Sequence, residues 1–312
     1  MPEHTSAKSR GARVPLVLAA GSKFGKYKPE IERDVRKVEI VRDRKMQKIL
    51  RLWKTIQYDS AGNDEHGDAY NQGVANGYRL GFVHMIEIMA KRIGHGAAEV
   101  GSFALMLPEI KEAELEGVSA PRSPYMGHKF GERAGLFLSA LINSSRDSEH
   151  VICLVHMDFL IDYLGCGNRK KLTVIGDVGK ALGCHMSDGE IIVEGNAKNV
   201  AATFMCGGKI LVKGNVGDNL GYYMCDGEVV VEGDADYQVA SDMEGGKITV
   251  KGNHSSSNCA GMTGGEVHFE GEEDPSIAEG DFGVVSNDMD DTWHVDSGPI
   301  KIYHKGKLIV DK

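Results

Sequence analysis

The chain has 312 residues, enough for two domains of ordinary size, and its apolar content of 41% is that of a typical globular protein. No apolar run approaches the length of a membrane span, so we expect no membrane contact. The net charge of −9 is unevenly divided, since residues 1–54 carry fifteen Lys or Arg against six Asp or Glu. This division favours either internal docking or a basic arm that is offered to an acidic partner.

The cysteines and the N-terminus both indicate a cytoplasmic protein. Six cysteines are scattered through the second half without a CxxC pair, which favours reduced thiols over a disulfide framework or a metal site built from cysteine alone. The apolar patch at residues 14–20 is too short to favour an export signal. The basic segment contains no recognised nucleic-acid-binding motif, so nucleic acid is not an expected partner.

The first half of the chain is predicted to be mostly helical. Residues 1–33 have the composition of a flexible basic arm, and residues 34–150 form the helical region. Apolar residues at three- and four-residue steps predict long helices at about 29–57 and 69–93, and shorter ones at about 103–114 and 129–143. The intervening stretches 58–68 and 117–131 have the composition of loops, and the apolar run HVICLVHM at 150–157 indicates a buried strand or a domain seam.

Residues 151–312 are dominated by a repeat. Five ungapped units of nineteen residues run from 176 to 270, and each begins with a glycine: Gly176, Gly195, Gly214, Gly233 and Gly252. Counting from that glycine, position 2 is Asp or Asn, position 8 is small, position 11 is Met and position 14 is Gly in every unit. A fixed period of this length indicates a solenoid, in which each unit buries its apolar face against the next.

Positions 15–19 of each unit are predicted to form a strand. Positions 16 and 18 are apolar in every unit and should point inward, whereas positions 15, 17 and 19 should point outward. The glycines at positions 14 and 1 bracket this strand, where we expect conformations that other residues resist. The whole unit has the length of one coil of a parallel β-helix, and the tail is predicted to end it with a β-hairpin around residues 304–307.

The outward positions carry two further patterns. Positions 15 and 19 alternate between Glu and Lys from unit to unit, so each acid should lie between bases on the neighbouring coils and fix the register. Position 17 reads Ile192, Leu211 and Val230 before it becomes polar at Thr249 and His268. We expect this apolar stripe to be an interface, covered either by the helical half or by a partner subunit.

The repeat resembles the GXGXG repeat domain, which occurs at the C-terminus of the glutamate synthase large subunit and in one of the subunits of formylmethanofuran dehydrogenase. The resemblance rests on the pattern G-[DN]-x₅-[small]-x₂-M-x-[DG]-G-x-[IV]-x-[VF], and it covers about 157–271 with a degenerate first coil that ends in KLTVI. It implies a right-handed β-helix that supports and joins catalytic parts. It also implies that flavin, iron–sulfur, pterin or amidotransferase chemistry lies elsewhere, with no cofactor in this chain.

Motifs for catalysis or metal binding give weaker signals. The chain contains no GxSxG, HExxH or P-loop motif, and no dinucleotide-binding GxGxxG in a strand–helix context. Asp64 and His66 are metal-ligand candidates in a polar loop, and His254 and His268 are candidates in the last coil, where the alternative is a simple cap. Cys206 and Cys225 share position 12 on adjacent coils and are predicted to stack closely.

These observations predict an α+β protein, with a helical N-terminal region followed by a right-handed parallel β-helix of nineteen-residue coils and a C-terminal hairpin. The expected function is a non-catalytic structural subunit of a cytoplasmic oxidoreductase complex of the formylmethanofuran dehydrogenase or glutamate synthase type. Its partners would be other subunits or further copies of the chain. One alternative is a stand-alone enzyme with a site between the helices and the β-helix, and another is a binding module that uses its basic arm.

Overall fold

A computed structural model describes residue 40 and residues 42–56, 69–115, 124–255, 257–271 and 298–312. The predicted basic arm, residues 1–33, lies outside this range. Four helices come first in the described part of the chain: α1 (Arg44–Thr55), α2 (Ala69–Lys91), α3 (Ala97–Leu115) and α4 (Pro124–Ser144). Nine strands follow: β1 (Glu149–Cys153), β2 (Lys171–Ile175), β3 (Glu190–Glu194), β4 (Cys206–Val212), β5 (Asp226–Val231), β6 (Lys247–Val250), β7 (Gly265–Phe269), β8 (Ile300–His304) and β9 (Lys307–Asp311).

The strands form one sheet in chain order, which confirms the predicted parallel solenoid. Strands β1 to β8 pair in parallel, and β9 returns antiparallel to β8 through the predicted hairpin at residues 304–307. The run at 150–157 therefore supplies the first strand of the solenoid, which begins at Glu149. Between β2 and β7, equivalent residues of neighbouring strands are nineteen positions apart, as with Ile191 and Ile210, except at the irregular start of β4, where Cys206 pairs with Asp226.

The described helices match the predicted number, but three of them begin at other residues than predicted. Helix α1 begins at Arg44, after the N-cap Asp43, rather than near residue 29. Helix α3 begins at Ala97 rather than near 103, and α4 begins at Pro124, inside the stretch that was predicted to be a loop. The proline is compatible with that place because the first turn of a helix does not use its backbone N–H groups within the helix. None of the described helices is both long enough and apolar enough to cross a lipid bilayer.

Trp53 joins three of the helices. The ring of this buried residue of α1 lies with its centroid 5.6 Å from that of Phe103 on α3 and 5.1 Å from that of Phe137 on α4. Its Nε1 donates a hydrogen bond of 2.8 Å to Glu114, and the guanidinium of Arg133 lies 3.8 Å above the ring. The ring of Trp53 therefore fills the apolar core between the helices, while its N–H and its face bind polar and charged groups.

The strands alternate as predicted. The side chains at positions 16 and 18, such as Ile191, Val193 and Val229, are fully buried in the solenoid. The methionines at position 11 form a second interior column, since all five are buried: Met186, Met205, Met224, Met243 and Met262. Apolar burial along these columns is the main source of stability for the coils.

The two glycine columns exist for different reasons. At position 14 the glycines have positive φ, as at Gly189 (80°) and Gly227 (105°), which is the conformation that the sequence predicts. At position 1, however, Gly214, Gly233 and Gly252 do not have positive φ, although Gly176 in the first unit does (113°). A Cβ at Gly233 would lie only 2.6 Å from the carbonyl oxygen of Gly214, so this column is glycine because consecutive coils approach closely through their backbones.

Position 2 is Asp or Asn because its side chain links coils. The side-chain Oδ1 of each accepts a hydrogen bond from the backbone N–H of the next residue in the column, at 2.8 Å from Asn196 to Asp177 and 2.9 Å from Asn215 to Asn196. The column continues through Asp234 and Asn253. Only a short side chain with an oxygen two bonds beyond Cβ supplies this acceptor in each coil.

Each coil also contains three left-handed residues that the sequence did not suggest. Positions 6, 8 and 10 have positive φ, as at Val200 (57°), Ala202 (59°) and Phe204 (53°). The backbone N–H groups there bond alternately to the coil ahead and the coil behind, as Val200 does to Asp218 and Ala202 to Leu182. These intercoil hydrogen bonds hold the three residues in the left-handed backbone conformation, which L-residues normally avoid.

The helices lie at the N-terminal end of the solenoid. Helix α3 packs on β1, and α4 packs on the loop that follows it. Two glycines of α4 permit this contact, because a Cβ at Gly131 or Gly135 would overlap the carbonyl oxygen of Leu160 or Asp162. The helical region thus covers the apolar end of the first coil.

Candidate functional site

The outward face of the sheet carries the apolar stripe that the sequence predicts. Ile192, Leu211 and Val230 are register partners on β3, β4 and β5, and each side chain is partly exposed. Thr173 on β2 and Thr249 on β6 flank this stripe in the same column. A parallel sheet presents these side chains on a regular surface with neighbouring strands about 4.8 Å apart.

Within each charged column beside the stripe, Lys and Glu side chains of neighbouring strands form ion pairs. In the position-15 column, Lys209 lies 2.9 Å from Glu228 and Lys247 lies 2.8 Å from Glu266. The register extends this alternation to both ends, because Glu149 pairs with Lys171 on β1 and β2, and Glu266 pairs with Lys301 on β7 and β8.

The position-19 column shows the same arrangement. Lys213 lies 2.5 Å from Glu194, and Lys251 lies 3.6 Å from Glu232. The predicted ladder is therefore present in both columns, and the charges that flank the apolar stripe largely neutralise one another.

The described helices do not cover the stripe. They pack on β1 and on the loop after it, at the end of the solenoid, whereas Ile192, Leu211 and Val230 lie on its side. In the described part of the chain, the helical half does not cover the apolar stripe. That a partner subunit covers it stays a prediction.

The junction between helices and solenoid is a network of paired polar side chains. Arg79 on α2 forms a buried ion pair of 2.7 Å with Glu132 on α4, and its guanidinium lies 4.4 Å from the centre of the Tyr163 ring. Asn143 donates to the carbonyl of Gly167 at 3.1 Å, and Ser139 accepts from the backbone N–H of Gly165 at 2.9 Å. These groups hold the first loop of the solenoid against α2 and α4.

The candidate metal ligands are not brought together. Asp64 and His66 lie outside the described residues. His254 is an interior residue against Phe269, with its Nδ1 3.1 Å from the Nδ2 of Asn258, whereas His268 points outward and stacks on Tyr303. Across the described ranges, no three His, Cys, Asp or Glu side chains converge on a point where they could hold a metal ion.

The cysteines of adjacent coils do stack. Burial raises the pKa of the Cys225 thiol to about 12, and the neighbouring Cys206 thiol adds to this shift. The buried pair Cys166 and Cys184 behaves alike, since the hydrogen bond between them and burial raise the pKa of Cys166. The Cys225 and Cys166 thiols therefore remain protonated at neutral pH and are poor nucleophiles.

A polar groove near the left-handed turns was missed by the sequence analysis. At position 10 the rings of His185, Phe204 and Tyr223 stack in a column, with centroids 5.2 Å and 5.3 Å apart. The next two residues of that column are Asp242 and Gly261, so the aromatic side chains stop there.

The side chains in the neighbouring position-9 column become smaller at the same coils. Tyr222 is followed by the small residues Ser241 and Ala260, which leaves a groove of about 350 Å³. The groove is also lined by Val200, Asn219 and Gln238 from position 6. Positions 9 and 10, read down the repeat, contain the signal for this groove in the change from large to small residues.

A second groove lies between α1 and α2. Its floor is apolar, with Leu52 from α1 and Ile88 and Met89 from α2, and Ile88 is 67% exposed. Three cations surround it: Lys48, Arg51 and Arg92. The combination of an apolar floor and a basic rim is suited to an acidic amphipathic partner.

Comparison with known proteins gives no assignment, since neither a protein-family model nor a curated protein matches the chain.

Proposed function

We propose that the chain is a structural subunit that binds another protein through the outward face of its sheet. The apolar stripe of Ile192, Leu211 and Val230 carries this proposal. Burying such side chains against a partner is favourable by about 1.5–3 kcal/mol for each fully buried residue. The self-paired charges on both sides leave little electrostatic penalty when the stripe is covered.

The parent assembly that we propose is an oxidoreductase of the formylmethanofuran dehydrogenase or glutamate synthase type. This part rests on the resemblance of the repeat and not on a site within the chain. Flavin, iron–sulfur or pterin groups would belong to the partner subunits, and the solenoid would position them.

The test is purification of the tagged chain from its native source, as wild type and as Leu211→Glu. The wild type should bring down cofactor-bearing subunits in fixed stoichiometry, seen by mass spectrometry and by visible absorption. Leu211→Glu should lose them at least tenfold, because a charge replaces an apolar contact at the centre of the stripe.

Tyr237→Glu is the matched control, since it changes an exposed apolar side chain in the loop at position 5 rather than on the outward face of a strand. It should retain the partners. A wild type recovered as a homo-oligomer without companions would overturn the oxidoreductase assignment. Equal recovery with both variants would overturn the assignment of the stripe.

The groove between α1 and α2 supports a second candidate function, a binding module for an acidic partner. Arg51→Glu together with Arg92→Glu should abolish binding of an acidic amphipathic peptide, whereas Lys91→Glu, outside the groove, should have little effect. Deleting residues 1–33 separates the basic arm from this groove, because the groove residues all remain. Loss of binding on that deletion alone would assign the partner to the arm.

The alternative of a stand-alone enzyme would place its site at the junction of helices and solenoid. The polar groups there bond mainly to one another, as Arg79 does with Glu132, which favours a structural role for them. Turnover by the isolated chain that survives Glu132→Gln would require a site elsewhere.

A further inference from the structure

The groove beside Asp242 has the composition of a binding site for a cationic group. The floor is built where the aromatic column ends. A Cβ placed on Gly261 would lie 2.2 Å from Oδ1 of Asp242, so the carboxylate occupies the space above this glycine. The backbone of Asp242 is fixed there by a hydrogen bond of 2.7 Å from its N–H to the carbonyl of Ala260.

The carboxylate of Asp242 is half-buried, and no described Lys, Arg or His forms an ion pair with it. Burial is the one cause that raises its pKa, and no described Lys, Arg or His contributes an opposing effect. Burial is the main cause that raises the pKa values of the Tyr222 and Tyr223 phenols, and the carboxylate of Asp242 adds to both shifts. The carboxylate therefore lies close to two phenol groups, whose ring centroids are 4.6 Å apart.

The remaining wall of the groove is neutral. Asn219 and Gln238 contribute amides, and Ser241 contributes a hydroxyl group that donates to the backbone carbonyl of Gln238. Amide and phenol oxygens accept hydrogen bonds, and a tyrosine ring attracts cations. An anionic ligand would meet Asp242 directly, and a purely apolar ligand would leave the carboxylate without compensation.

We propose that this groove binds a protonated amine or guanidinium group, which forms an ion pair with Asp242 and lies against Tyr222. The group could come from a free small amine or from a lysine or arginine side chain of a partner. This site is separate from the apolar stripe, because it lies at the left-handed turns rather than on the strands.

The test uses the full chain with tyrosine rings labelled with ¹³C, titrated with butylamine and with 1-butanol as the neutral analogue. Butylamine should shift the resonances of Tyr222 and Tyr223, with a dissociation constant on the order of 1–10 mM for so small a ligand. Butanol should bind at least tenfold more weakly.

Asp242→Asn should reduce butylamine binding at least tenfold. Asparagine suits this position, because it tolerates the left-handed conformation that Asp242 adopts at a φ of 52°. Asp188→Asn is the matched control, since Asp188 is an exposed acid on another part of the solenoid, and it should bind as the wild type does.

The source of the cation is distinguished with acetyl-Gly-Lys-Gly-amide. Binding at least tenfold tighter than butylamine assigns the groove to a partner side chain, and equal or weaker binding assigns it to a free amine. Equal binding of butanol and butylamine, no detectable shift with any probe, or an unchanged affinity in Asp242→Asn would each overturn the proposal.

Discussion

The helical region and the solenoid are stabilised in different ways. In the helices, individual side chains make contacts that occur once, such as the Trp53 cluster and the ion pair of Arg79 with Glu132. In the solenoid, backbone groups and short side chains make the same contact in every coil, as in the columns at positions 1 and 2. We therefore expect the helices to be sensitive to loss of particular side chains, and the solenoid to be sensitive to added backbone bulk.

The largest effect is expected at the buried ion pair. Glu132→Ala leaves the Arg79 guanidinium buried without its carboxylate, and should reduce the free energy of unfolding by about 3–5 kcal/mol. Chemical denaturation of the full chain measures this loss. Adding Arg79→Met to the same protein should recover part of it, and a double variant no more stable than Glu132→Ala would contradict the assignment.

The solenoid should be most sensitive at position 1. Gly233→Ala places a methyl group 2.6 Å from the carbonyl oxygen of Gly214, and the coils cannot separate without losing the hydrogen bond from Gly233 to Gly214. A loss of about 2–4 kcal/mol is expected. Hydrogen exchange should show faster opening of the neighbouring coils than of α3 and α4.

The charge ladder tests whether the repeated charges fix the register. Lys213→Glu puts a third carboxylate between Glu194 and Glu232, and should destabilise the protein by about 1 kcal/mol. The loss should shrink in 1 M NaCl because salt screens exposed charges. A loss that is independent of salt would show that the lysine acts through its aliphatic part instead.

Replacing a glycine by alanine should stabilise the protein in a helix, whereas it destabilises the solenoid. Gly81 on α2 is exposed, and a Cβ there would meet nothing within 4 Å. Gly81→Ala should therefore stabilise the protein by about 0.5–1 kcal/mol, because alanine loses less backbone entropy in a helix. If Gly81→Ala and Gly233→Ala changed the thermal midpoint alike, the contrast between the regions would be wrong.

The smallest effect concerns pH. Burial lowers the pKa of His185 in the aromatic column, so the unfolded chain binds a proton more readily than the folded chain. This contribution to stability is complete above the ordinary histidine pKa of about 6.5 and is lost as the pH falls below it.

His185→Phe removes the titration and keeps the stacking on Phe204. The loss of unfolding free energy between pH 7.5 and pH 5 should become smaller by less than about 1 kcal/mol for this partly exposed ring, and the thermal midpoint should fall less. His150 and His156 shift in the same direction through burial and remain in both proteins, so an unchanged drop would assign the acid sensitivity to them.

The sequence by itself determined the solenoid. The nineteen-residue period, the inward positions 16 and 18 and the alternating Glu and Lys columns all follow from a repeat in which neighbours in space are a fixed distance apart along the chain. The helix positions were also predictable from apolar spacing, except for the starts of α1, α3 and α4. At the start of α3 the backbone N–H of Ala97 donates to Asp147, fifty residues further along the chain, and no local pattern records such a partner.

Only the tertiary structure decided three things. It placed the helices on the end of the solenoid rather than on the stripe of Ile192, Leu211 and Val230. It showed that Gly233 is required by the approach of two backbones, and it created the groove where Tyr222 is followed by smaller residues. Each depends on distances between atoms of different coils or elements, and a one-dimensional pattern gives the order of residues but not the space between them.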